Sequence, residues 1–64
     1  MKLQTGDLLI PTSGIPILVV DVQKWAGLVK GFHGNKTVIE NIGYERYIIE
    51  YLTCGKWKHF PVVK

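Results

Sequence analysis

The chain has 64 residues, 47% of them hydrophobic, and a formal net charge of +3 from eight Lys and Arg against five Asp and Glu. A chain this short forms one domain with one small core, which leaves little room for a buried active-site cavity. Cys54 is the only cysteine, so no intramolecular disulfide forms, and the N-terminal residues lack the apolar stretch of a signal peptide. We therefore expect a single cytoplasmic domain over residues 1–64 without membrane association.

Short apolar segments separated by turn residues predict strands in the first two thirds of the chain. Residues 8–10 are followed by a turn cluster, and residues 15–23 form a longer apolar segment with strand alternation. Residues 28–32 and 36–40 flank Gly34-Asn35, which suits a two-residue hairpin loop. Five or six short antiparallel strands at this spacing predict an all-β fold, a small barrel or a sandwich.

Residues 44–60 combine β-branched and aromatic residues around Cys54-Gly55 and predict a C-terminal hairpin. A two-residue turn sets the register of the two strands and divides their side chains between two faces. The face predicted to line the core is formed by Tyr47, Ile49, Phe60 and Val62. The opposite face, interpreted as a partner-binding surface, carries Arg46, Glu50, Leu52, Trp57 and His59.

A helix is the alternative for the first half of this segment. An amphipathic stripe at helical spacing is formed by Tyr44, Tyr47, Ile48, Tyr51 and Leu52. Tyr and Ile favour strands over helices, and Ile42-Gly43 provides only a weak N-cap. We therefore prefer the strand, and an α+β fold with a helix near residues 44–52 stays open.

The mixed polar and aromatic face has two interpretations. Trp and Arg are enriched at binding hot spots, so Trp57 and Arg46 favour a protein contact. In the predicted register Glu50 lies opposite His59, where it would tune the charge of the imidazole near neutral pH. The other interpretation is an ordinary solvated sheet face. No motif points to an enzyme, a cofactor, a metal site or a small-molecule substrate.

A nucleic-acid interface is the second functional hypothesis. Basic residues interleaved with aromatic ones are typical of single-strand binders, in which lysines contact phosphate and aromatic rings stack on bases. The candidate residues are Lys24, Trp25, Lys30, Lys56 and Lys58. The same aromatic residues also suit a small core, and Trp25 by itself is interpreted as a lid on that core.

The Gly6-Asp7-Leu8-Leu9-Ile10 opening, followed by a turn, a long apolar strand and tight hairpins, resembles SH3-like small β-barrels. Many small bacterial and phage-encoded proteins share this pattern. The chain lacks the Ala-Leu-Tyr-Asp-Tyr stretch and the paired Trp of peptide-binding SH3 domains, so the resemblance implies a fold and no polyproline groove. It also lacks the glycine spacing of KOW segments, which weakens an RNA-binding role.

These observations lead to one preferred function. We expect a non-catalytic protein-interaction or structural module that acts within a larger assembly, such as a phage particle. Its partner is expected to be another protein or further copies of the same chain.

Overall fold

The structure is a computed structural model that describes residues 2–62, and these form one antiparallel sheet and one short helix. The strands are β1 (Leu8–Ile10), β2 (Ile17–Gln23), β3 (Leu28–His33), β4 (Glu40–Tyr44) and β5 (Lys58–Phe60), and the helix is α1 (Glu45–Thr53). The five strands lie in the order β4-β3-β2-β1-β5 in an open sheet. The prediction of a small, mostly β domain is confirmed, with a helix added.

The core lies on the inner face of this sheet. Strand alternation points Leu9, Ile17 and Val19 inward, where at most 2% of each side chain is exposed. Val29 of β3 and Leu3 from the N-terminal segment join them. Burying each such side chain contributes about 1.5–3 kcal/mol, so the few residues of this core leave little stability in reserve.

A close approach between β2 and β3 depends on Gly31. Gly31 lies opposite Val19, next to a register shift between Val19 and Asp21 that bends β2. A Cβ atom at position 31 would clash with the Leu18 carbonyl oxygen and lie 3.1 Å from the Leu18 carbonyl carbon. The absence of a side chain at Gly31 therefore allows the two strands to pack at this bend.

The predicted two-residue hairpin loop at Gly34-Asn35 is wrong. β3 ends at His33 and β4 begins only at Glu40, so the predicted strand at 36–40 is mostly loop. Polar contacts stabilise this longer connection, because the Glu40 carboxylate lies 3.0 Å from His33 Nδ1 and accepts a hydrogen bond from Lys36 Nζ at 3.2 Å. The bond from Lys36 lowers the pKa of Glu40 below its ordinary value.

The predicted C-terminal hairpin is also wrong, and the helical alternative is confirmed. α1 buries Ile48 and Leu52, which are four residues apart on one helix face, against the core. β5 pairs with β1, through Leu8 opposite Phe60 and Leu9 opposite His59, and makes no ladder with residues 44–52. Tertiary burial of one helix face outweighs the strand preference of the individual residues.

The contacts at the two ends of α1 explain why the residues near Tyr44 did not predict a helix. Tyr44 occupies the N-cap position without a side-chain capping bond, and the Glu45 N–H instead donates to the carbonyl oxygen of Gly27 at 2.7 Å. At the other end the Cys54 N–H donates to the Glu50 carbonyl, and Gly55 has a φ of +86° that suits a helix terminator. The first of these contacts comes from a distant part of the chain.

The helix changes the predicted core face. Tyr47 is 44% exposed and Phe60 53% exposed, whereas Ile49 and Val62 are half-buried. Only Ile49 and Val62 of the four predicted residues are therefore partly enclosed.

Within residues 2–62, no helix is long and apolar enough to cross a membrane.

Candidate protein-interaction surface

The tip of the β2–β3 hairpin exposes a tryptophan. Residues 24–27 form the turn, in which the Ala26 N–H donates to the Gln23 carbonyl and Gly27 adopts a φ of +65°. Trp25 stands on this turn with 86% of its surface exposed. Its interpretation as a lid on the core is wrong, since the turn projects it into solvent. A tryptophan left this exposed favours a contact with a partner.

The start of α1 is held against this turn. The Glu45 N–H donates to the Gly27 carbonyl, and the Glu45 carboxylate forms an ion pair with Lys24 Nζ. Tyr44 also lies opposite Leu28 at the end of the β3–β4 ladder. Three contacts, two of them through the backbone, therefore fix the hairpin tip relative to the first turn of the helix.

An open depression of about 430 Å³ lies where the two elements meet, lined by Ala26, Gly27, Tyr44, Glu45 and Arg46. The Tyr44 ring meets the Tyr47 ring edge to face, with centroids 6.0 Å apart and planes at 73°. The Arg46 guanidinium lies 4.8 Å from the centroid of the Tyr47 ring, and its Nη2 donates to the Tyr47 hydroxyl at 3.1 Å. We call Trp25, Tyr44, Arg46 and Tyr47 the tip surface.

The tip surface carries a net positive charge. Lys24 neutralises Glu45, the acidic residue that lines the depression. Among the ion pairs of residues 2–62, Arg46 has no carboxylate partner. Its contacts are with the Tyr47 ring and hydroxyl, which orient the guanidinium without cancelling its charge. An incoming acidic group would meet one uncompensated cation among aromatic rings.

A second aromatic pair lies at the other end of the helix. Tyr51 and Trp57 stack with centroids 5.3 Å apart, and Lys56 Nζ lies 5.9 Å from the Tyr51 centroid. Trp57 is half-buried and packs against the core, and its backbone N–H donates to the Tyr51 carbonyl. These contacts close the turn between α1 and β5, so we assign the pair to packing.

Asp7 and His59 join the two ends of the described chain. The Asp7 carboxylate, 1% exposed, accepts hydrogen bonds from the backbone N–H of Gln4 at 3.0 Å and of Val62 at 2.9 Å. His59 Nε2 lies 2.9 Å from the same carboxylate and donates to it, because an ionised carboxylate only accepts. Burial works to raise the pKa of Asp7, but the bonds from Val62, His59 and Gln4 outweigh it, so the pKa lies below its ordinary value.

The five residues of the predicted partner-binding face do not lie together. Arg46 and Glu50 are exposed on α1, but Leu52 points into the core with 7% exposure. Trp57 is half-buried beside Tyr51, and His59 is bonded to Asp7 rather than placed beside Glu50. The cause is the helix, which replaces the two-strand register on which that face depended.

The alternative nucleic-acid residues are also dispersed. Lys24 is paired with Glu45, and Lys56 lies over Tyr51. Lys30 and Lys58 belong to β3 and β5, two strands separated in the sheet by β2 and β1. Trp25 stands at the hairpin tip beside its chain neighbour Lys24, whose charge is neutralised by Glu45. The structure therefore does not assemble the five residues into one stacking platform.

The sequence indicated part of the tip surface. The sequence points to Arg46 and Trp25 as candidates for different functions, whereas it predicts Tyr44 and Tyr47 in a strand or in the core. The helical stripe through Tyr44 and Tyr47 was the available signal.

Within residues 2–62, no three His, Cys, Asp or Glu side chains are grouped as metal ligands. The chain matches no protein-family profile, no curated protein and no solved structure.

Proposed function

We propose that the protein is a non-catalytic interaction module that binds a protein partner through the tip surface. The observation that carries the proposal is the 86% exposure of Trp25 on a turn fixed to the start of α1. Trp, Tyr and Arg are the residue types enriched at binding hot spots, and the tip surface brings all three types together. Because backbone bonds hold the hairpin turn and the start of α1 together, binding would order side chains but little backbone.

The setting we propose is a larger cytoplasmic assembly, such as a phage particle. The single cysteine leaves the chain without an internal disulfide, which supports a reducing compartment. The net charge of +3 and the unpaired charge of Arg46 favour a partner with acidic groups near its apolar contact.

We also propose that the sheet curls into an SH3-like barrel. The support is the register shift in β2 and a second one between Val29 and Lys30, since such irregularities bend and twist strands. The helix α1 covers the inner face of the curled sheet with Ile48 and Leu52. The proposed interaction rests on the tip surface and does not depend on closure.

The test is quantitative capture of partners from cells that naturally make the protein, using the immobilised chain and its variants. Trp25→Ala and Arg46→Ala should each reduce the recovered partner about 30-fold, the effect of losing about 2 kcal/mol at a hot spot. Thr12→Ala, in the exposed β1–β2 loop, is the matched control and should recover as much partner as the unmodified chain. Equal recovery by all four proteins would refute the tip surface.

The nucleic-acid hypothesis makes a different prediction. Binding through lysines would weaken by about 0.7–0.9 log unit per log unit of salt for each phosphate contacted. An electrophoretic mobility shift with single-stranded and double-stranded oligonucleotides at low salt separates the two functions. Under our proposal neither oligonucleotide is retarded, and a salt-sensitive shift lost in Trp25→Ala would favour the nucleic-acid function instead.

A further inference from the structure

The outer face of the sheet carries a row of large apolar side chains. Direct pairing runs from Phe60 to Leu8, from Leu8 to Leu18, and from Leu18 to Phe32, across the strands β5, β1, β2 and β3. Residues paired in this way place their side chains on the same side of the sheet. Leu9, the next residue along β1, is fully buried, so the row lies on the opposite face, away from the core.

This outer-face row (Leu8, Leu18, Phe32 and Phe60) is accessible in the single chain. Phe60 is 53% exposed and Leu18 42% exposed, while Leu8 and Phe32 are half-buried. The helix packs on the other face, where Ile48 and Leu52 reach the core. Four adjacent apolar side chains on one solvent face make a contiguous patch, and contiguous apolar patches often mark interaction sites.

We propose that the outer-face row is the interface of a symmetric dimer formed by two copies of this chain. The row reads Phe-Leu-Leu-Phe from β5 to β3, which is the same in both directions. The two-fold axis of this dimer runs parallel to the strands. It lies midway between the two packed sheets and is centred over the gap between β1 and β2. This axis brings Phe60 of one copy over Phe32 of the other. The same axis brings Leu8 over Leu18, so the surface is complementary to itself, as a two-fold interface requires.

The charges beside the row are compatible with this arrangement. Lys58 lies opposite Ile10 and two residues before Phe60, so it is the next residue of β5 on the same face as the row. The two-fold axis places Lys58 over the region of Gly34 in the second copy, because the Gly34 N–H is bonded to Pro16 at the same level of the sheet. On the other side of the row, Lys30 of β3 lies opposite Asp21 of β2 in the strand register, so a carboxylate neighbours this lysine. The proposed dimer therefore sets no lysine directly against another lysine.

The size of the face also suits a second copy. The chain measures 27 × 27 × 25 Å. The 27 by 27 Å outline sets an upper limit of roughly 700 Å² on the area that the outer face can present, which leaves room for the low end of the roughly 600–1,000 Å² per partner that stable interfaces bury. Two sheets packed face to face lie about 10 Å apart, and side chains of the size of Leu and Phe fill such a layer. A dimer would also add apolar burial to a small core.

Sedimentation equilibrium over a range of concentrations tests the proposal. The unmodified chain should approach twice its mass of 7.3 kDa as concentration rises. Leu18→Asp and Phe60→Asp should each remain monomeric, because each sets a carboxylate in the apolar layer. Trp25→Ala, which changes the tip surface, should dimerise like the unmodified chain. An unmodified chain that stays monomeric at millimolar concentration overturns the proposal, whatever the variants do.

A mixing experiment tests the two-fold register itself. Phe60→Asp and Phe32→Lys should each be monomeric alone, with circular dichroism confirming that each is folded. When mixed they should form a one-to-one dimer, since the axis places the new carboxylate over the new ammonium and leaves the other Phe60–Phe32 contact intact. If the mixture stays monomeric while the unmodified chain dimerises, the proposed register is wrong.

Discussion

Gly31→Ala should remove a large part of the free energy of unfolding of the protein. The added Cβ atom meets backbone atoms of Leu18 rather than a side chain that can rotate away, so β2 and β3 must separate where β2 bends. Overpacking usually costs about 1–3 kcal/mol, and a clash with backbone atoms places Gly31→Ala at or above the upper end of that range. The net stability of a domain of this size is only about 3–5 kcal/mol. Urea denaturation followed by circular dichroism measures the loss.

Gly14→Ala is the matched control for that substitution. Gly14 has a φ of +83°, and a Cβ atom added there would have open space around it for 4 Å, so alanine at this position meets only backbone strain. Its cost should be about 1–2 kcal/mol, the penalty of a left-handed conformation. If the two variants lose equal stability, the close approach of β2 and β3 at Gly31 is not the source of the effect.

Asp7→Asn should destabilise the protein by about 2–4 kcal/mol at neutral pH. The Asp7 carboxylate accepts from the backbone N–H groups of Gln4 and Val62 and from His59, all within 3.0 Å. An asparagine amide replaces one acceptor oxygen by a donor, which leaves at least one buried N–H without a partner at about 1–3 kcal/mol each. Because these bonds join the N-terminal segment to β5 and Val62, both ends of the chain should loosen together.

The pH dependence has a defined sign. The pKa of Asp7 is lower in the folded chain than in the unfolded one, so its ionised form stabilises the fold at every pH above the ordinary value of about 4. That stabilisation is lost as the pH falls through the folded-state pKa. Urea midpoints of the unmodified chain and Asp7→Asn should therefore differ most at neutral pH and converge in acid.

Asp21→Asn serves as the control for Asp7→Asn. Asp21 is exposed on β2, where its carboxylate accepts a hydrogen bond from the Gln23 side chain at 3.2 Å. Its substitution should change stability by less than about 0.5 kcal/mol. A midpoint for Asp7→Asn equal to that of Asp21→Asn at neutral pH would contradict the role of the Asp7 network.

The strands were predictable where local pattern and burial agree. Residues 8–10 and 15–23 alternate or cluster apolar side chains between turn residues, and they form β1 and most of the predicted second strand. Residues 36–40 do not form the predicted strand, because the contacts of Glu40 with His33 and Lys36 favour a longer loop. Those contacts join side chains whose positions depend on the completed sheet.

The helix α1 was harder to predict than the strands, and the reason is the contact that caps it. The periodicity through Tyr44, Ile48 and Leu52 was present, but a good capping residue was absent and the side chains favour strands. The Gly27 carbonyl supplies the missing cap from the hairpin tip. No local feature near Tyr44 predicts that contact, so the sequence alone favoured the hairpin and its two-faced register.

The predicted partner-binding face was wrong for the same reason, because it depended on a strand at residues 44–52. With a strand at 44–52, Arg46 shares a face with Leu52 and His59. With a helix, Leu52 turns inward, His59 reaches Asp7, and Arg46 joins Tyr44 and Tyr47 beside the hairpin tip. The exposure of Trp25 could not be predicted from its neighbours in sequence, because it depends on where the turn projects.

Site-specific photo-crosslinking tests the tip surface most directly. Benzoylphenylalanine in place of Trp25 keeps an aromatic side chain at the 86%-exposed tip position, and the same group at Thr12 samples the exposed β1–β2 loop. After irradiation in cells that naturally make the protein, position 25 should yield a discrete covalent complex with one partner and position 12 should yield none. Crosslinks from position 12 to the same partner, or none from position 25, would contradict the account.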